Sequence, residues 1–238
     1  MMKVLSKISK FTIVLLSTLM ISVSTIYAQT EIMPGQELER IQLDKKAKEK
    51  YLVIDVRPEE QYEKGHLSHA INIPLEDLGN ELDRLEDYKE MPIIVYCNTG
   101  KKSAEAATLL LDKGFKDVKD AQGVKEFEYT LVTYESILPD EFIEEAKDKE
   151  TLFIDARDAK DFEKASVEGA INASVDNPEA VLEQLPEDKT AKIITFCYSG
   201  NKSADIANFL EEHGYTNVKN SLDGTKENEN LPLVEKAS

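Results

Sequence analysis

The sequence predicts an α/β fold made twice, each half a mostly parallel sheet flanked by helices. Three observations carry that expectation. Short apolar runs alternate with helical patterns, the order of segments in the first half returns in the second, and the returning segments are displaced by a constant 100 residues. Leu52-Val53-Ile54-Asp55-Val56-Arg57 comes back as Leu152-Phe153-Ile154-Asp155-Ala156-Arg157, and Ala70-Ile71-Asn72 as Ala170-Ile171-Asn172. Cys97, Gly100, Lys102, Ser103 and Ala104 come back as Cys197, Gly200, Lys202, Ser203 and Ala204. A constant offset leaves the connecting segments equal in length, the mark of a duplicated domain of about 100 residues and not of a solenoid of short repeats.

Taken in order, residues 1–28 differ from the rest of the chain. Lys3, Lys7 and Lys10 precede the apolar run Phe11 to Ile26, and Ala28 offers a small residue for cleavage before Gln29. This is the three-part pattern of a secretory signal, so an exported protein, periplasmic or secreted, is expected. The rival reading is a retained anchor, for which the run is short against the roughly 20 residues a bilayer needs. No Cys lies near Ala28, which excludes a lipoprotein anchor. The expected organisation is a signal at 1–28, a first domain at 29–129 and a second at 130–238.

Within each domain the elements follow from periodicity and punctuation. Leu52 to Val56 and Leu152 to Ala156 are short apolar strands, followed by polar helical turns at Pro58 to Lys64 and Ala159 to Lys164. Ala70 to Ile73 is a second strand ended by Pro74, and apolar residues at 75, 78, 82 and 85 predict a helix over Leu75 to Leu85. Pro92 to Tyr96 and Lys192 to Phe196 are apolar, β-branched and aromatic runs, as in strands buried on both faces. Each leads through a glycine turn into a helix, Lys102 to Lys113 and Lys202 to His213, stopped by Gly114 and Gly214. Strand–helix alternation of this kind implies a parallel sheet covered on both sides. Residues 123–134 are expected to join the copies, and the polar tail after Thr225 to be loosely ordered.

Composition narrows the function. The chain has 238 residues, 41% hydrophobic and 32% charged, with a net charge of −17, three His and two Cys. That length suffices for two cores, and the aliphatic content excludes a disordered chain. So acidic a balance argues against nucleic acid and, once the signal is removed, against membrane surfaces as partners. Two Cys make no disulfide framework, and dispersed His without a CxxC pair argue against structural zinc.

The chemistry concentrates at the two cysteines. Each stands at the end of a buried strand, directly before a glycine turn and a helix, where parallel α/β sheets bind ligands and helix N-termini offer free amides. A sulfur there is held as thiolate by the amides, the helix dipole and nearby Lys. Gly100 and Gly200 let successive N–H groups turn inward as an anion nest. Cysteines also pack as small hydrophobes in cores, but two in register, both followed by Gly and Lys-Ser, favour function.

The ordered set of motifs resembles the rhodanese family. In the first copy it comprises Ile54-Asp55-Val56-Arg57, Glu63-Lys64-Gly65-His66-Leu67, Ala70-Ile71-Asn72-Ile73-Pro74, the loop Tyr96-Cys97-Asn98-Thr99-Gly100-Lys101-Lys102-Ser103, and Gly114-Phe115 with Val118. The second copy is similar through Ile154-Asp155-Ala156-Arg157, Gly169-Ala170-Ile171-Asn172, Phe196-Cys197-Tyr198-Ser199-Gly200-Asn201-Lys202-Ser203, and Gly214-Tyr215 with Val218. The resemblance implies two tandem rhodanese-like domains and a sulfurtransferase. Cys97 or Cys197 would take sulfur from a small sulfur-containing anion such as thiosulfate and pass it to a thiol, a cyanide-like acceptor or a protein acceptor, without metal or organic cofactor. Backbone amides of the substrate-binding loops Asn98, Thr99, Gly100, Lys101, Lys102 and Ser103, and Tyr198, Ser199, Gly200, Asn201, Lys202 and Ser203, would hold the persulfide anion, with Lys102 and Lys202 stabilising charge on the donor, and two displacements imply ping-pong kinetics.

Departures from the family pattern set further expectations. Lys102 and Lys202 stand where active loops usually carry Arg, and a point charge clamps a loop less firmly than a planar fork. Lys101 should make the first loop the more electropositive, and Ala165-Ser166 replaces Gly65-His66 in the second copy. Both cysteines are expected to carry sulfur, Cys97 being the safer assignment. Asp55 with Arg57 and Asp155 with Arg157 are expected to be structural ion pairs, and His66 a packing residue. Competing readings are a non-catalytic binding or sulfur-relay module on the same fold, and a Cys-dependent phosphatase, which the absence of Arg after either cysteine disfavours. Free thiols, exposed to oxidation, are expected because separate strand ends lie beyond bridging distance.

Overall fold

The computed structural model describes residues 32–236; the secretory segment expected at 1–28 lies outside them. The first repeat runs α1 (Gly35–Leu43), α2 (Lys45–Lys48), β1 (Leu52–Asp55), α3 (Glu59–Tyr62), β2 (His66–Leu67), β3 (Ala70–Asn72), α4 (Leu75–Leu78), a 3-10 helix (Leu82–Tyr88), β4 (Ile93–Tyr96), α5 (Lys101–Asp112) and β5 (Val118–Asp120). After β6 (Leu131–Val132) and β7 (Glu135–Ile137), the second runs α6 (Pro139–Glu145), β8 (Leu152–Asp155), α7 (Ala159–Phe162), β9 (Ala165–Ser166), β10 (Ile171–Asn172), a 3-10 helix (Pro178–Gln184), β11 (Ile193–Phe196), α8 (Asn201–Glu212), β12 (Val218–Ser221) and β13 (Val234–Glu235).

Each repeat is organised around a parallel sheet, in the order β3-β1-β4-β5 in the first and β10-β8-β11-β12-β7 in the second. β4 and β11 are fully buried, as their runs predict for central strands covered on both faces; the one polar residue, Thr195 of β11, donates its hydroxyl to the Ser203 carbonyl at 3.0 Å. One face of the first sheet packs Ile54, Ile93 and Val95 against Ala106, Ala107 and Leu110 of α5. The other packs Val53, Ile94 and Tyr96 against Leu38 and Ile41 of α1. In the second sheet Ile154 and Ile193 meet Ile206, Ala207 and Leu210 of α8, and Phe153, Ile194 and Phe196 meet Phe142 of α6.

Asp55 faces Tyr96 across the β1–β4 ladder, and Asp155 faces Phe196 across β8–β11, so the acidic strand end and the cysteine strand end adjoin. Arg57 grips Asp55 through Nε at 3.0 and 2.9 Å and Nη2 at 2.6 Å, and donates to the Gly65 carbonyl at 2.8 Å. Arg157 repeats this with Asp155 and the Ala165 carbonyl. Both pairs are buried, and they brace the strand ends as the structural ion pairs expected from sequence. Where the first repeat has His66, the second has Ser166, whose hydroxyl donates to Asp155 Oδ2 at 2.8 Å.

The repeats pack directly on one another. Leu138 and Leu222 of the second repeat enter the first repeat's core. Ser136 N donates to Tyr62 Oη at 3.1 Å, Arg84 reaches Asp140 at 2.9 Å and Tyr88 donates to Asp223 at 2.7 Å.

Two expectations are corrected, one over 75–85 and one in the tail, while residues 123–134 join the copies and carry structure of their own: β6 pairs antiparallel with β2 and Tyr129 is buried. The helix expected over 75–85 stops at Leu78 and resumes as a 3-10 turn, because Gly79-Asn80 interrupts it; Leu78 and Leu85 are buried all the same. The tail is ordered by apolar contact: Leu231 and Leu233 fill the core beside Phe153 and Val167, and β13 pairs with β9.

Candidate active site

Cys97 follows β4 directly, and its sulfur lies beneath the loop that leads to α5. Gly100 caps that helix in the left-handed region, at φ 79°, and Gly200 caps α8 at φ 73°. This conformation, easy for glycine and costly for other residues, helps turn a strand into a helix across four residues and leaves the first helical amides without intrahelical partners on the loop that the cysteine begins. Those amides and the dipoles of two twelve-residue helices make each loop a nest for negative charge. Inside it, Cys97 Sγ lies 3.3 Å from Ser103 Oγ, and Ser203 Oγ lies 3.4 Å from Cys197 Sγ.

Both loops are braced from behind. Val124 N donates to the Cys97 carbonyl and Lys125 N to the Asn98 carbonyl, each at 3.0 Å; Thr225 and Lys226 do the same for Cys197 and Tyr198. The close approach requires glycine at the turn: a Cβ on Gly123 would stand 2.2 Å from the Asn98 carbonyl oxygen, and one on Gly224 2.2 Å from the Tyr198 carbonyl carbon. Residue 98 or 198 is tied to the preceding short helix, Asn98 Nδ2 to Gln61 at 2.7 Å and Tyr198 Oη to Asp161 at 2.5 Å. Sequence reasoning misses Gly123, Gly224, Gln61 and Asp161. A signal for them exists: Gln61 and Asp161 keep the 100-residue offset, and the two glycines come shortly after strands of the repeat.

The lysines do not stand free. Lys102 Nζ is 2.7 Å from Glu76 and Lys202 Nζ 2.7 Å from Asp158, so each charge is shared with a carboxylate of its own repeat. Thr99 and Lys101 are exposed at the first loop's tip. Ser199 and Asn201, at the same positions of the second, are buried. They are covered by α2 of the first repeat: Ser199 Oγ donates to Glu49 at 2.7 Å, Asn201 Nδ2 donates to Glu49 at 2.9 Å, and the Lys48 ammonium donates to the Ser199 carbonyl at 2.8 Å. The second loop also receives a lysine ammonium, from a residue 151 positions away. One expectation changes. The sulfurs, expected to be exposed, are both buried, and both thiols are free.

His66 is buried, stacked on Tyr62 at 3.5 Å, with Nδ1 against the Tyr62 carbonyl at 3.0 Å. Burial pulls its imidazole down to about 4, which suits a neutral packing residue. Among the described residues no group of three or more His, Cys, Asp or Glu is placed to hold a metal ion.

A doubly repeated parallel sheet with a cysteine-to-helix nest in each half defines a class, and comparison with known proteins agrees. The rhodanese-like domain family matches residues 37–127 and 138–229, and the chain belongs to that family, with two domains in tandem. Thiosulfate sulfurtransferase PspE of Escherichia coli is 38% identical over 73 residues, covering 31% of this chain and 70% of PspE. The adenylyltransferase and sulfurtransferase UBA4 of Saccharomyces cerevisiae is 36% identical over 94 residues, 36% of this chain and only 21% of UBA4. Among solved structures, a thiosulfate sulfurtransferase of Pseudomonas aeruginosa is similar at 20% identity and TM-score 0.38, covering 87% of this chain and 44% of that one. A rhodanese with anions from E. coli is similar at 35% identity and TM-score 0.32, covering 34% of this chain and 96% of that one. PspE and UBA4 are both named sulfurtransferases.

Proposed function

We propose that this protein transfers sulfane sulfur through a cysteine persulfide, with Cys97 the leading nucleophile and Cys197 a second carrier. The observation that supports it is the repeated placement of a free cysteine beneath the unpaired amides of a long helix, six residues before a serine that touches its sulfur. In the first displacement the Cys97 thiolate attacks the outer sulfur of an anionic donor such as thiosulfate. The new Sγ–S bond forms as the donor's S–S bond breaks, and sulfite leaves with the bonding pair. An acceptor, a thiolate or cyanide, then attacks the outer sulfur and returns the Cys97 thiolate. The loop amides and the Ser103 hydroxyl stabilise the sulfur anion at each stage without reorganising.

Export rests on Lys3, Lys7 and Lys10 ahead of the apolar run; N-terminal sequencing of the mature protein is expected to begin at Gln29. The catalytic reading is tested by intact mass after thiosulfate and then cyanide, comparing wild type with Cys97→Ser and Cys197→Ser. The expected result is a gain of one sulfur that cyanide reverses and that Cys97→Ser abolishes at its own site. No gain on either cysteine would replace this reading with a binding or relay module on the same fold.

A further inference from the structure

The two cysteine loops have the same chain geometry but not the same surroundings. Lys48, at the end of α2 in the first repeat, is buried with 5% of its surface accessible. Its ammonium donates to two carbonyls of the second repeat, Ser199 at 2.8 Å and Leu222 at 2.9 Å. Ser199 belongs to the Cys197 loop, and Leu222 leads into the turn that braces it from behind. One cation therefore ties the front of that loop to its back, from a different domain.

The contact is built rather than incidental. Asp44 caps α2 by accepting from Lys46 N and Ala47 N at 2.9 and 3.1 Å, fixing the helix that carries Lys48. Glu49 accepts from Ser199 Oγ and Asn201 Nδ2, Asn201 also donates to the Lys45 carbonyl, and Lys45 pairs with Asp205 at 2.6 Å. Burying an ammonium is costly unless it is well bonded. Burial does lower the Lys48 ammonium, and Asp223, Glu227, Cys197 and Glu49 act in the opposite sense.

The consequence for the loop comes from peptide geometry. No cis peptide occurs among the described residues, and in a trans peptide the C=O and N–H point in opposite directions. Pinning the Ser199 carbonyl toward Lys48 turns the Gly200 N–H of the same peptide away from that ammonium, on the loop between buried Cys197 and α8. In the first repeat the equivalent residue, Thr99, is exposed at the loop tip, and α2 lies against the other loop.

We propose that Lys48 is a positioning residue for the Cys197 site, holding its loop in the anion-binding form across the domain boundary, so that the second site is complete only with the first domain in place. The proposal rests on the sulfur-transfer reading only for its kinetic consequence; the loop geometry can be tested apart from it.

The test uses the purified full chain with Lys48→Met, which keeps the length of the side chain, and Lys48→Arg, which can still donate to two carbonyls. Amide hydrogen exchange is followed in segments 198–203 and 98–103, and sulfur carried by each cysteine after thiosulfate is read by peptide mass. Lys48→Met is expected to speed exchange in 198–203 by about tenfold or more and to lower sulfur on Cys197 by a similar factor, the scale of a lost charge-assisted hydrogen bond. Segment 98–103 and Cys97 stay at wild-type values, and Lys48→Arg restores most of both losses. Unchanged exchange in 198–203 overturns the proposal whether or not either cysteine takes up sulfur. Faster exchange with undiminished sulfur on Cys197, or a Cys197 that stays empty while Cys97 loads, overturns the role in the reaction. If neither cysteine loads, the sulfur-transfer reading fails, and exchange alone decides whether Lys48 positions the loop.

Discussion

Cys97 Sγ and Ser103 Oγ lie 3.3 Å apart, and Ser103 is fully buried in the first turn of α5. The buried hydroxyl is shared between the Cys97 sulfur and the Asp120 carboxyl, and a sulfur anion would draw the hydroxyl proton toward it. Hydrogen bonds to charged groups contribute about 1.5–3 kcal/mol. Ser103→Ala should therefore slow single-turnover persulfide formation on Cys97 by about 10- to 100-fold, with Cys197 unaffected. Ser203→Ala should do the reverse. Rapid-quench mass analysis of both cysteines checks this, and equal rates in wild type and variant would remove the serine from the mechanism.

The brace behind the loop gives a second prediction. A methyl at Gly123 would meet the backbone of Asn98 and Thr99 at 2.2 to 2.7 Å, atoms that cannot swing aside. Gly123→Ala should destabilise the protein by about 1–3 kcal/mol, the usual cost of overpacking, and loosen the Cys97 loop specifically. Gly79 is the control: nothing lies within 4 Å of its added methyl, and its φ of −65° suits any residue. Gly79→Ala should be neutral or stabilise by up to about 1 kcal/mol. Urea midpoints of the two variants should move in opposite directions or differ clearly in size.

How much of this is legible in the sequence depends on whether a feature is local. The offset that aligns Cys97 with Cys197 reveals the duplication, the parallel strands and both glycine turns, because each is written in a short run of residues. The Asp55–Arg57 pair is legible for the same reason, two residues apart on one strand end. What escapes lies between distant segments. Leu231 and Leu233 sit in a polar tail, yet two apolar residues suffice to anchor it on Phe153 and Val167. Leu75 to Leu85 keeps an apolar spacing that buries the right side chains, but Gly79-Asn80 lets the backbone break where periodicity alone predicts continuity. Lys48 reads as one of several lysines in a charged stretch, and only the packing of two domains brings it to Ser199.

His66 predicts a pH dependence of stability. Burial holds its folded value at about 4, below the ordinary 6.5. Between those values the unfolded chain binds a proton that the native one refuses, so stability rises with pH across this window and is lost as pH falls through it. The full effect is on the order of 3 kcal/mol. The wild-type urea midpoint should drop more steeply than that of His66→Gln between pH 6.5 and 4, and parallel curves would show that His66 does not drive the slope.

Asp120 makes the opposite case. It is buried at the end of β5, its Oδ1 has no hydrogen-bond partner, and burial raises its carboxyl above the usual range, against a hydrogen bond with Ser103 that acts to lower it. A raised carboxyl means the native state holds its proton more firmly than the unfolded chain. Stability from this group is greatest below the unfolded value of about 3.9 and declines as pH rises until the native carboxyl also ionises. At the same place in the second repeat stands Asn220, fully engaged: its Nδ2 donates to the Gly200 carbonyl at 3.2 Å and its Oδ1 accepts from Thr195 at 3.2 Å. Asp120→Asn supplies the same donor toward the Gly100 carbonyl without a charge to bury. The variant should show a higher urea midpoint than wild type at pH 7, with the gap closing toward pH 4. A midpoint at pH 7 no higher than wild type would mean that the Asp120 carboxylate is compensated by its surroundings, and that the difference between Asp120 and Asn220 has no bearing on stability.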